Sequence, residues 1–105
     1  MKKLTTFDRA VIFSAQNSNL TKTKKLLEIG ANINASNNYG NTALIMASQF
    51  GQHESVKLLV QQGAELERSN KHGNTALLYA AYGGKTEVVK ILIEAGANKE
   101  WTAPL

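Results

Sequence analysis

Apolar residues in this chain come in short bursts separated by small and polar stretches, and the bursts recur. Two of them, Ala43-Leu44-Ile45-Met46-Ala47 and Ala76-Leu77-Leu78-Tyr79-Ala80, follow a threonine, Thr42 or Thr75. A threonine there can accept a hydrogen bond from a free backbone N–H, so each predicts an N-cap and the run behind it a short first helix. Gly51 and Gly84 then predict a helix end and a turn with positive φ. Beyond them Val56, Leu59 and Val60, and again Val89, Leu92 and Ile93, recur at i, i+3, i+4, the spacing of one face of a second helix. Gly63 and Gly96 stop that helix in the same way. The segment from Gly63 to Gly73, rich in Gly, Asn, Ser and charge, predicts an extended turn or hairpin tip leading to the next unit.

The recurrence has a fixed period of 33 residues. Gly30, Gly63 and Gly96 obey it, as do Ala31, Ala64 and Ala97, and the pairs Gly40/Gly73, Thr42/Thr75, Leu44/Leu77 and Gly51/Gly84. Aligned without gaps, 37–69 and 70–102 are identical at fifteen of 33 positions. Residues 4–36 match 37–69 at eight, namely Ala10, Ile12, Gln16, Lys24, Leu26, Gly30, Ala31 and Ser36. That is a degenerate first copy, and a period of this length is the signature of a repeat architecture.

Gly40-Asn41-Thr42-Ala43-Leu44, followed by Ala47, Gly51, Val56-Lys57-Leu58-Leu59 and Gly63-Ala64, resembles the ankyrin repeat, and the resemblance covers nearly the whole chain. It implies an all-α ankyrin-repeat solenoid of three helix-turn-helix units joined by hairpin-like loops. The expected organisation is a single domain over 1–105, with repeats at about 4–36, 37–69 and 70–102 and a short tail at 103–105. Two family positions differ. The Pro and His that flank the conserved leucine are Ala43 and Ile45 in the second copy, and Ala76 and Leu78 in the third. Alanine is the best helix former and does well where proline would pre-set φ, and apolar bulk takes the place of the histidine hydrogen bond.

Helices this short are marginal in water on their own, so each unit must stack on its neighbour. Ala47, Ser48, Ala80 and Ala81 are placed where helices approach closely, and Leu44, Leu58, Leu77 and Ile91 supply the apolar surface between units. In the first copy Lys22, Thr23 and Lys25 occupy positions that are Ser55 or Val88, Val56 or Val89, and Leu58 or Ile91 later; polarity there suits a terminal unit with no preceding neighbour. Lys99 likewise replaces an apolar position, and Trp101 is read as a lid folded over the last unit.

Composition narrows the function classes. The chain has 105 residues, 43% hydrophobic and 19% charged, with no cysteine, which fits one folded domain and offers no disulfide framework or thiolate metal site. No apolar run approaches the length of a membrane span. Asp8 and Arg9 interrupt what would have to be the apolar core of a signal peptide, so the cytoplasm is the expected compartment. Without that signal, the sequons Asn19-Leu20-Thr21 and Asn34-Ala35-Ser36 carry little meaning. The net charge of +4 belongs to residues 1–29, which hold Lys2, Lys3, Arg9, Lys22, Lys24 and Lys25 against Asp8 and Glu28. A nucleic-acid reading would rest on that end alone. No aromatic residue interleaves with Lys22–Lys25 to stack bases, and a solvated helix face is the preferred account.

No catalytic or metal-binding constellation stands out. His53 and His72 fall at different places in their repeats and have no zinc spacing, and no Ser or Thr is brought by the repeat to a His and a carboxylate. No cofactor is expected. The resemblance implies binding of another protein through hairpin tips and the exposed side of the first helices, which together line a concave face. Mapped onto this sequence, that face is Asn38, Tyr39, Asn41, Gln49 and Phe50 in the second copy and Lys71, His72, Asn74 and Tyr82 in the third. Thr5, Thr6, Asp8, Gln16 and Asn17 extend it. Tyr39, Phe50 and Tyr82 are the expected anchors, since large aromatics at otherwise polar positions resemble interface hot spots; the competing account is that they cover neighbouring units. A monomer is expected, with self-association through the C-terminal repeat and nucleic-acid binding as the alternatives.

Overall fold

The computed structural model describes residues 5–97. The two threonines do what their positions predict. Thr42 Oγ1 accepts from Ile45 N at 3.2 Å and Thr75 Oγ1 from Leu78 N at 3.2 Å, each satisfying one of the free donors at a helix start. Six helices follow one another: α1 (Thr6–Gln16), α2 (Leu20–Glu28), α3 (Ala43–Gln49), α4 (His53–Gln61), α5 (Ala76–Tyr82) and α6 (Thr86–Glu94). They pair as α1/α2, α3/α4 and α5/α6, and the pairs stack with α1, α3 and α5 in one layer and α2, α4 and α6 in the other. Among the described residues, β pairing is limited to isolated antiparallel bridges, Ser36 with Thr42 and Ser69 with Thr75, at the base of the hairpin tips. The fold is all-α, built from helix-turn-helix repeats.

Packing is tightest in the first-helix layer, where small residues let helices approach. Ala15, Ala43, Ala47, Ala76 and Ala80 are fully buried there, and Leu44, Ile45, Val56, Leu59, Val88 and Leu92 fill the spaces between layers and units in one continuous core. Ile45 and Leu78, which stand where the family has histidine, are both buried. Gly51, Gly63, Gly84 and Gly96 all have positive φ, as their helix-ending role requires. Ser18, at the position of Gly51 and Gly84, has φ 58 and is the one non-glycine residue with positive φ among those described.

Four expectations are corrected. The polarity of α2 is not all solvent-facing: Thr23 is fully buried, with its hydroxyl 2.7 Å from Ser14 Oγ and donating to Asn19 O at 2.8 Å. Threonine has the shape of the valine found at this position in the other units, and its hydroxyl is satisfied, so burial costs little. Ala81, expected at a close helix approach, is exposed, whereas its counterpart Ser48 is fully buried; a described unit stacks beyond Ser48 and none beyond Ala81. For the same reason Leu77 is only partly buried where Leu44 is buried, while Leu58 and Ile91 are both partly buried. In α6 the buried stripe is Val88 and Leu92, with Val89 half-buried and Ile93 exposed, one residue out of phase with the predicted face. Lys99 and the expected Trp101 lid lie outside the described residues.

Helix α1 also begins earlier than the repeat suggests. It ends in register with α3, Gln16 matching Gln49, but starts about one turn sooner. Thr5 and Asp8 form a reciprocal cap, with Asp8 N donating to Thr5 Oγ1 at 3.0 Å and Thr5 N to Asp8 Oδ2 at 3.4 Å. This capping box supplies a helix start where the later units have a hairpin tip.

Candidate functional site

The tips are organised by two asparagines at equivalent positions. Asn37 Oδ1 accepts from Tyr39 N at 3.0 Å and from Asn41 N at 3.1 Å. Asn70 Oδ1 does the same for His72 N and Asn74 N, both at 3.0 Å. An Asx turn of this kind holds the backbone open so that the next two side chains project outward. The turns close through Gly40 N to Asn37 O at 2.9 Å and Gly73 N to Asn70 O at 3.0 Å.

Neighbouring tips are locked together. Lys71 N donates to Tyr39 O at 3.0 Å, and Asn70 Nδ2 donates to Asn41 Oδ1 at 2.9 Å and to Tyr79 Oη at 2.8 Å. Asn70, with 6% of its surface exposed, therefore ties the third tip to the second and to helix α5. Gly40 makes the approach feasible. Its φ is 80, and a Cβ there would stand 3.1 Å from Asn70 Cα and Lys71 N. Gly73 has nearly the same φ, 78, but a Cβ on it would meet nothing within 4 Å.

The outward rows of the first helices run alongside these tips. Phe13, Met46 and Tyr79 are equivalent positions, as are Gln16, Gln49 and Tyr82, so each set forms a row across the stacked units. At the first unit, Arg9, Ile12, Phe13 and Gln16 from α1 and Asn37 and Asn38 from the tip line one open groove. Of the expected anchors, Tyr39 is 66% exposed, Tyr82 72% and Phe50 47%. Asn38, Gln49, Lys71 and His72 are exposed as well.

Other expected face residues have internal duties. Asn41 and Asn74 are half-buried, and the Asn41 side chain is engaged by Asn70. Thr5 is a cap; Thr6 and Asn17 are exposed, and Gln16 is half-buried, its carbonyl receiving Gln52 Nε2 at 2.9 Å. Asp8, expected to extend the face, is buried and bonded to Thr5 N and Asn32 N, the latter at 2.8 Å.

Arg9 and Phe13, the latter 62% exposed, are not among the identities that mark the first copy, so the repeat pattern does not point to them. The row position shared with Met46 and Tyr79 is the signal that identifies Phe13. Asn37 and Asn70, which organise the tips, are marked by their identity at the 33-residue period. Among the described residues no group of three or more His, Asp or Glu is gathered in a way that could hold a metal ion, and no helix is long and apolar enough to cross a membrane.

Stacked helix pairs with aligned tips define a helical repeat scaffold. The family model for ankyrin repeats matches residues 10–103 in three copies, and the chain belongs to that family. Ankyrin repeats are generally protein–protein interaction modules and are typically non-catalytic. No curated protein matches the chain.

Proposed function

We propose that the chain is a non-catalytic binding module, acting as an adaptor or inhibitor, that grips one partner protein with its tips and first helices. The supporting observation is the contrast between scaffold and surface. Equivalent positions that hold the fold are repeated, whereas the outward positions of the same units carry Asn38 and Tyr39 in one tip and Lys71 and His72 in the next. Exposed aromatics on those positions are of the kind that anchor interfaces, each able to contribute about 2 kcal/mol or more. The three repeats within 1–105 act together as one domain, as a monomer, and the cytoplasm is the proposed setting.

The lysines of α2, Lys22, Lys24 and Lys25, belong to the second-helix layer and take no part in this face. The test is affinity for a partner captured from the source cells. Tyr39→Ala with Tyr82→Ala should weaken binding by about thirtyfold or more, corresponding to about 2 kcal/mol, while far-UV circular dichroism stays unchanged. Unchanged affinity with an intact fold would show that the partner sits elsewhere.

A further inference from the structure

Carboxylates on the described surface are sorted by layer, whereas exposed lysines stand on the second helices as well, as Lys22, Lys24, Lys25, Lys57 and Lys90. Exposed carboxylates stand on the second helices, as Glu28, Glu54, Glu87 and Glu94, or directly after α4, as Glu65 and Glu67. The last two border a groove with Gly96 at the end of α6. The face made by first helices and tips has a single described carboxylate, Asp8. That group is turned inward, receiving Asn32 N and Thr5 N.

What this face presents instead is Arg9 and Lys71, both exposed. The ion pairs His53–Glu54, Glu65–Arg68 and Glu87–Lys90 engage neither cation. Each cation has an apolar neighbour. Arg9 shares its groove with Phe13, and Lys71 is bonded through its backbone to the tip residue Tyr39.

Resting on the partner-binding reading above, we propose that the segment of the partner protein seated here is acidic and carries a large apolar side chain. Its carboxylates pair with Arg9 and Lys71, and its apolar side chain packs on Phe13 or Tyr39. Charge complementarity of this kind sets the encounter rate and excludes basic partners. A nucleic acid fits less well, because phosphate tracts are held by many cations along a path and the described residues of this face offer Arg9 and Lys71.

The experiment uses the full isotope-labelled chain and two short synthetic peptides. Both carry one central phenylalanine, and they differ only in having glutamate or lysine at the flanking positions. The glutamate peptide should move the amide signals of Arg9, Phe13, Tyr39 and Lys71, bind more tightly than the lysine peptide by about tenfold or more, and weaken as salt rises. Arg9→Glu with Lys71→Glu should invert the preference. Arg9→Gln with Lys71→Gln should abolish it, which keeps the test valid if the first variant does not fold.

Equal binding of both peptides, or no signal change with either, overturns the inference, as does a single-stranded DNA oligonucleotide that displaces the glutamate peptide from the same amides. Binding to this face without charge preference overturns the acidic-partner inference alone. Signal changes confined to α2, α4 and α6 overturn the binding-face reading as well.

Discussion

Single residues show where the degenerate first repeat carries strain. Ser18 occupies the left-handed turn that Gly51 and Gly84 make elsewhere. A side chain in that conformation costs about 1–2 kcal/mol, while glycine brings about 0.5–1 kcal/mol of extra chain entropy to be lost. Ser18→Gly should therefore stabilise the protein by about 0.5–1 kcal/mol, read as a higher urea midpoint at unchanged slope. A lower midpoint would mean that the serine side chain earns its place through a contact. Pair chemistry in the same unit works the other way: Ser14 and Thr23 bury two hydroxyls where the second unit has Ala47 and Val56, and they satisfy each other.

At the scale of elements, the hairpin tips depend on neighbours as much as on their own turn chemistry. Gly40 and Gly73 share a backbone conformation, but only Gly40 has the next tip pressed against it. Alanine at either position meets the left-handed penalty; at 40 it also forces Asn70 and Lys71 back and disturbs the bond from Lys71 N to Tyr39 O. Gly40→Ala should thus lower stability by at least about 1 kcal/mol more than Gly73→Ala, measured side by side by thermal or urea unfolding. Equal losses would show that the tips do not lock.

How much of this was legible in the sequence depends on whether a feature is local. Caps at Thr42 and Thr75 and the glycine stops follow from hydrogen-bond and φ requirements of a few adjacent residues, and so they could be read. The burial of Thr23, the exposure of Ala81 and the phase of α6 depend on what lies across from them, which periodicity alone does not specify. The early start of α1 was legible in Thr5-Phe7-Asp8 spacing but hidden by a strict 33-residue frame. On the candidate face, the exposure of Tyr39 and Tyr82 was legible from the polar residues at their equivalent positions, whereas Asp8 and Asn41 turned inward because backbone and side-chain donors 24 and 29 residues away claim them.

For the whole molecule, the decisive property is that the core runs through all three helix pairs without a break. Leu44, 2% exposed, lies in the middle pair, and truncating it to alanine should cost about 2–5 kcal/mol. In a stack whose units support one another, that loss is shared by all of them. A rigid, jointly stabilised array is also what keeps tips and first helices aligned into the proposed binding face, so the functional reading depends on it.

Amide hydrogen exchange of the intact chain, compared between the original sequence and Leu44→Ala, is the most direct measurement. The slowest amides of α1, α3 and α5 should lose protection together, each by the same free energy as global unfolding. Loss confined to α3, with α1 and α5 as protected as before, would contradict the account.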